Sequence, residues 1–344
     1  MKSKIYFSIR FIKYFLFTII LTFSFLILSS CISNDNYDVY VVGKEQVYSI
    51  DNDPILWKNG SSQHLGNALL TATSVFVSGE DVYVSGYHWS KERFAVFWKN
   101  GVIQRLSDRS SLAYCIFVLD GDVYIAGAEY IEGYHIATLW KNGIPQHLGD
   151  RSKNTFANSV FVSNKDVYVV GDEHIDDTKR VFVLWKNGIE QRLSDENIYG
   201  SVQSVFVSGK DVYIVGTERI GEPLLDAVAT LWKNGIPQRL TSKNNPTGAY
   251  SVFISGIDVY VVGVEFINTS SEGRRAILWK NGSPQRLSNN SSIASSIFVL
   301  DEDIYISGIE RIGGPYVATL WKNGVPQHLS NEYSLTNSIF VKRK

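Results

Sequence analysis

From Tyr37 onward the chain alternates short apolar runs with small polar clusters, and no stretch carries a helical period. The runs are rich in Val, Ile, Tyr, Phe and Trp; the breaks between them are rich in Gly, Asn, Asp and Ser. That is strand chemistry bounded by turn chemistry. Three runs recur in fixed order, seven times each. Asp-Val-Tyr-Val-Val-Gly or a close variant begins at Asp38, Asp81, Asp122, Asp166, Asp211, Asp258 and Asp303. Trp-Lys-Asn-Gly begins at Trp57, Trp98, Trp140, Trp185, Trp232, Trp279 and Trp321. Ser-Val-Phe-Val or a variant begins at Ser74, Cys115, Ser159, Ser204, Ser251, Ser296 and Ser338.

With the Pro-Gln-Arg-Leu type of run after each Asn-Gly, every unit has four strands. We label them a (Ser-Val-Phe-Val), b (Asp-Val-Tyr), c (the strand ending in Trp-Lys) and d (Pro-Gln-Arg-Leu). Seven units of four antiparallel strands predict an all-β, seven-bladed β-propeller, with residues 37–344 as one domain. The chain enters at strand b and ends on an unmatched strand a, so the last strand is expected to complete the first blade. Closing the ring this way removes exposed sheet ends.

Turn chemistry sharpens the picture. Asn-Gly between strands c and d predicts a two-residue type I′ hairpin, with Trp232 opposite Pro237 and Lys233 opposite Ile236. Proline in strand d suits an edge, because it cannot donate to a further strand. The spacing from the serine of strand a to the aspartate of strand b never varies, nor does that from the tryptophan to the leucine closing strand d. Length varies only in the b–c and d–a connections, which a propeller places on one face. Binding residues concentrate on variable loops held by a rigid scaffold, so that face is the expected binding face.

Composition adds a location. The chain has 344 residues, 44% hydrophobic and 13% aromatic, enough for a large core, with a formal charge of -1. Residues 1–30 contain Lys2, Lys4, Arg10 and Lys13 and no acid, which leaves 29 basic against 34 acidic residues and a net -5 for the rest. A mildly acidic body gives no electrostatic footprint for nucleic acid. The basic start and the apolar run Tyr14 to Leu28 have signal-peptide length and are short for a membrane span. The run ends in Leu28-Ser29-Ser30-Cys31, which resembles a bacterial lipobox. The resemblance implies that residues 1–30 are removed, that Cys31 carries lipid, and that residues 31–36 are a short tether to the membrane. It places the domain outside the cytoplasm of a bacterial envelope, on the outer membrane where there is one. Cys115 stands where the other six copies have serine, so it is expected to be a buried serine substitute rather than a reactive thiol.

The Trp-Lys-Asn-Gly and Asp-Val-Tyr-Val repeats also resemble those of a group of bacterial envelope proteins, and more loosely the wider seven-bladed propellers. That implies a fold and assigns no residue a role.

Two sets of candidate residues remain. Two positions beyond the glycine of strand b stand Glu45, Glu129, Glu173, Glu218, Glu265 and Glu310, with His88 in the second repeat. Strand d brings Arg105, Arg192, Arg239 and Arg286, or His64, His147 and His328, to a similar height. A feature repeated in every blade reads as framework, so these are expected to pair within the scaffold rather than bind a cation. The asymmetric loop residues are the expected ligand contacts: Trp89, Tyr130, Tyr134, His135, Tyr199, Phe266 and Tyr316, with Phe156 and Tyr333 beside them. Asp172-Glu173-His174-Ile175-Asp176-Asp177 offers metal donors, but its spacing fits no defined loop and it reads as a solvated acidic turn. No zinc-protease, nucleophile-elbow or phosphate-loop motif is present. The expectation is a monomeric, membrane-tethered module that binds a protein or glycan through the variable face, without cofactor, metal or catalytic residues. A hydrolase or lyase with its site at the central channel is the alternative, and a structural subunit of an envelope complex the third.

Overall fold

The structure is a computed structural model that describes residues 36–48, 51–91, 93–176, 179–194, 199–219, 227–241, 246–267 and 273–344. The leader, Cys31 and Asp177 lie outside the described residues. One compact unit spans Asp38–Lys342. In a second unit, Met1–Tyr37 with Arg343–Lys344, the Lys344 amide donates to the Asn36 carbonyl at 2.8 Å.

The larger unit is a seven-bladed β-propeller. Seven four-stranded antiparallel sheets form it, each with strands in the order a-b-c-d. In blade 1 the order is Ser334–Arg343, Tyr37–Tyr48, Asp51–Lys58, Ser61–His64. The C-terminal strand thus fills the inner place of the N-terminal blade, as the unmatched strand a predicts. Strands d are four residues long, pair only with strand c, and are exposed apart from the half-buried His147. This accounts for Pro145, Pro237, Pro284 and Pro326. Trp232 faces Pro237 and Lys233 faces Ile236. All seven Asn-Gly tips have φ of 50–52° at Asn and 79–83° at Gly, the left-handed pair that a type I′ turn requires.

The core lies between blades. One cluster joins Ala126, Ala137 and Leu139 of blade 3 to Val160, Val169, Val181 and Trp185 of blade 4. The seven framework tryptophans are 0–1% exposed. At the axis, Phe76, Phe117, Phe161, Phe206, Phe253, Phe298 and Phe340 form a closed ring with centroids 4.7–4.9 Å apart. Serine hydroxyls tie neighbouring strands a together. Ser338 Oγ accepts the Val75 amide of blade 2, and Ser296 Oγ accepts the Ile339 amide. Cys115 takes one of these serine places, half-buried, with its Sγ 3.9 Å from both Ser159 Oγ and the Val160 carbonyl. Burial pushes its thiol pKa up, away from nucleophilic use.

A second knot explains why Asp-Val-Tyr and Trp-Lys-Asn-Gly always travel together. In every blade the Asn side-chain amide donates to the strand b aspartate at 2.7–2.8 Å. The Lys ammonium reaches the same carboxylate at 2.7–3.4 Å and lies 5.1–5.3 Å above the neighbouring Tyr ring. The most repeated motif is therefore spent on the uniform face.

Lysine hydrogen bonds hold the carboxyls of Asp81, Asp122, Asp166 and Asp211 below the ordinary aspartate range. A depressed folded-state pKa contributes stability that is present above the unfolded value, about 3.9, and lost as pH falls through the folded one. The thermal midpoint is therefore expected to hold level from neutral pH into the carboxylate range and then fall. A scan of melting temperature against pH checks this. A Lys141→Met, Lys233→Met double variant should soften the fall, and a midpoint that rises on acidification would contradict it.

Candidate functional site

The variable face gains its depth from one irregularity repeated around the ring. In blades 2 to 7 the pairing of strands a and b slips by one residue just before the Ser (or Cys115) of strand a. This is a β-bulge, which inserts an extra residue and re-aims its side chain. The bulged residues are Thr73, Tyr114, Asn158, Gln203, Tyr250 and Ser295, and Asn337 holds the same place in blade 1. The flanking residues hardly change from copy to copy, whereas this position carries five different polar side chains.

The strand b glycine is the complement of the bulge. A Cβ at Gly86, Gly171 or Gly263 would lie 1.8–1.9 Å from the carbonyl oxygen of Thr71, Phe156 or Gly248 on strand a. Only a residue with no side chain lets the two backbones approach so closely.

All seven bulge residues line axial cavities. One lobe of about 790 Å³ is walled by Tyr114, Asn158, Gln203, Tyr250, Ser295 and Asn337, among others. A second of about 730 Å³ shares Tyr114 and Asn337 and adds Thr73, Lys44, Tyr87 and Trp89. A third, about 390 Å³, shares Arg180, Ser201 and Tyr250 with the first and adds Tyr199, Arg219 and Phe266. Some bulge side chains also join blades. Asn337 donates to the Ala72 carbonyl at 2.7 Å, Thr73 to Ala113 at 3.0 Å and Asn158 to Val202 at 2.9 Å. Tyr114 and Tyr250 present phenols whose pKa burial pushes above the ordinary value, so both stay neutral.

Blade 4 supplies the only carboxylate among the described residues that line the three lobes. Asp172 is 2% exposed. One of its oxygens accepts from Asn158 Nδ2 at 2.7 Å, and the other contacts His174 Nε2 at 3.0 Å and Arg180 Nη1 at 3.2 Å. The His174 ring packs on Phe156, and Phe156 on His135, at centroid distances of 5.0 and 5.2 Å. This corrects the solvated-turn reading. Strand b of blade 4 runs Asp166–His174, so Asp172 and Glu173 are buried strand residues, and only the segment from Ile175 leaves the sheet. A run of acids looks like a turn in one dimension; burial with Arg180 and Lys153 as counter-charges and His174 in contact is what permits it here.

The expected ligand contacts divide. Trp89, Tyr199 and Phe266 line the lobes, as does Phe156. Trp89 is 51% exposed, with the Arg93 guanidinium 3.8 Å above its ring. Tyr130 and Tyr134 are 45% and 39% exposed near the blade 3 b–c hairpin and line none of the three lobes. His135 packs between Tyr130 and Phe156, and burial, then the positive charge of Arg93, lowers its pKa. Tyr316 shares a 2.7 Å hydrogen bond with Ser291. The Tyr333 carbonyl accepts the Gln46 amide. His88 stacks on Phe94 at 4.5 Å.

The strand b glutamates turn to their own blades. Glu129 contacts His147 at 2.7 Å and accepts from Ser107, and Glu310 contacts His328 at 3.1 Å and accepts from Ser288. Glu265 meets Arg286 at 2.6 Å, Glu173 meets Lys153, and Glu218 accepts from Thr230 at 2.9 Å with Arg239 at 3.7 Å. In blade 1, His64 reaches Asp53 rather than Glu45.

Fold and site together define a propeller with a polar axial cavity open on its variable face. No family model matches the chain, and neither does any curated protein. Among solved structures it is similar to a puromycin-hydrolysing peptidase of Mycobacterium tuberculosis, with 12% identity and a TM-score of 0.51 over 74% of this chain and 45% of that one. It is also similar to TolB from Acinetobacter baumannii, with 10% identity and a TM-score of 0.48 over 74% of this chain and 65% of that one. At such identities the likeness is one of fold alone. The chain spans less than two thirds of either protein.

Proposed function

We propose that this chain is a binding module, tethered through lipid on Cys31 to the outside of a bacterial membrane, whose ligand enters the axial cavity of the variable face. The observation that carries the reading is the ring of bulge residues. Seven near-identical blades keep their framework constant and diversify a position that lines the cavity in every blade. Scaffold residues gain nothing from such variety, whereas a recognition surface needs different donors and acceptors around one ligand.

Tyr114→Ala, Gln203→Ala, Tyr250→Ala in one chain tests it. Each residue lines the cavity and belongs to none of the buried core clusters that the described residues form between blades, so the melting temperature should stay within a few degrees of the parent. Capture of a protein or glycan from envelope extracts, read by mass spectrometry, should fall to background. Full capture by this variant, with loss instead in a Trp89→Ala, Tyr130→Ala, Tyr134→Ala variant, would move the site from the cavity to the outer loops.

A second reading, hydrolysis or elimination at the same cavity, is favoured by one pair. His174 Nε2 lies against buried Asp172, which is how a carboxylate orients an imidazole for general-base work. The similar peptidase of Mycobacterium tuberculosis lends this reading fold alone. Turnover of any ester or peptide that disappears with His174→Gln would favour that reading.

A further inference from the structure

We infer that the axial cavity takes an acidic oligosaccharide, a sugar carrying carboxylate or sulfate groups; this rests on the cavity being the ligand site. The first support is charge. Among the described residues lining the three lobes, Lys44, Arg180 and Arg219 are cationic and Asp172 alone is anionic. Asp172 is already satisfied: both its oxygens are engaged by Asn158, His174 and Arg180, and it is buried. Lys44 and Arg219 have no carboxylate within ion-pair reach among the described residues. Two further cations, Arg93 over Trp89 and Arg274 at the start of strand c in blade 6, stand close by. Their fields act on cavity-side groups: Arg93 on His135 and, against a larger opposite effect of Asp172, on Tyr114, and Arg274 on Tyr250.

The background makes this informative. Outside residues 1–30 the chain has five more acids than bases, yet the described residues lining these lobes carry three cations against one anion. Of the strand b ring, Glu129, Glu218, Glu265 and Glu310 are spent on histidines and arginines of their own blades, and Glu173 on Lys153. Walls of one sign in a cleft raise the local concentration of an oppositely charged ligand.

The uncharged part of the wall selects among anions. Tyr114 and Tyr250 offer ring faces for stacking, and Gln203, Ser295 and Asn337 offer short amides and hydroxyls for hydrogen bonds. That mixture suits pyranose faces and hydroxyls. A peptide gains much of its affinity by pairing with a free strand edge. Here cross-blade bonds such as Ser338 to the Val75 amide and Asn337 to the Ala72 carbonyl already occupy the inward edges of strands a.

Titration calorimetry on the full chain with four probes tests the inference. They are a uronic-acid trimer, its neutral methyl ester, a sulfated trisaccharide, and an acetylated tri-glutamate peptide. One or both acidic sugars should bind, at least about tenfold tighter than the ester, with an affinity that falls as salt rises. Which of the two binds tells carboxylate from sulfate. Lys44→Gln with Arg219→Gln should erase the preference while leaving the melting temperature unchanged. Equal binding of acid and ester, tighter binding of the peptide, or no binding of either acidic sugar overturns the inference. Equal binding that vanishes in the Tyr114, Gln203, Tyr250 variant would leave the cavity as the ligand site and remove only the charge. Acid-sugar binding that survives in that variant would remove the cavity reading itself.

Discussion

Removal of residues 338–344 is expected to abolish cooperative folding of the whole propeller, far from the cut as well as near it. The deleted segment is the C-terminal part of the inner strand of blade 1, Ser334–Arg343. It carries Ile339 and Val341, 4% and 2% exposed, and Phe340, which closes the aromatic ring between Phe298 and Phe76. Burying three such side chains contributes roughly 5–9 kcal/mol at about 1.5–3 kcal/mol each. Whole domains are stable by only about 5–15 kcal/mol. The deletion also strips the inner edge of Tyr37–Tyr48 and removes both serine-mediated links, Ser338 to blade 2 and Ile339 to blade 7. A ring opened at one seam exposes two blade faces at once, so the loss does not stay local. Circular dichroism melting and limited proteolysis read the result. The truncated chain should show no sharp transition and rapid digestion throughout; an unchanged midpoint would mean that the seam does not hold the ring. Phe340→Ala is the milder variant, expected to cost about 3–5 kcal/mol while leaving the backbone seam intact.

Much of this architecture is legible in the chain because it rests on short-range chemistry repeated seven times. Asn-Gly specifies its own turn, proline marks its own edge, and an unmatched strand a specifies how the ring closes. The cavity is less legible for a physical reason. Strict alternation along strand a would place the residue before Ser on the opposite sheet face from Ser, in the layer between blades. The bulge breaks that alternation and turns the residue to the axis. The signal was nonetheless present: Thr73, Tyr114, Asn158, Gln203, Tyr250, Ser295 and Asn337 vary between nearly constant neighbours. Loop aromatics were harder to sort. Trp89, Tyr199 and Phe266 turn to the cavity while Tyr130 and Tyr134 do not, and neither exposure nor loop length encodes direction. Asp172 was misread because its charge run continues past the end of the strand that buries it.

The glycine facing the bulge leads to a second large effect, with an ordering that ordinary turn statistics would reverse. In blade 6, Gly282 ends the Asn-Gly tip with φ +80°, whereas Gly263 lies within strand b in ordinary extended backbone. By conformation alone, alanine should be worse at Gly282. Its Cβ there meets nothing within 4 Å, however, so the penalty is only that of the left-handed region, about 1–2 kcal/mol. At Gly263 a Cβ would sit 1.8 Å from the Gly248 carbonyl oxygen and 2.9 Å from its carbon. Both obstacles are backbone, so no rotamer relieves them, and the strands must part by more than an ångström. Forced overpacking of this kind costs about 3 kcal/mol. Gly263→Ala is therefore expected to lower the denaturant midpoint about twice as far as Gly282→Ala. The two should also differ in function. Parting strands a and b in blade 6 moves Tyr250 away from the axis, so Gly263→Ala should weaken ligand capture in chains that remain folded. Gly282→Ala, on the opposite face, should leave capture untouched. Equal destabilisation, or loss of capture in both, would show that the glycine and the bulge are not one device.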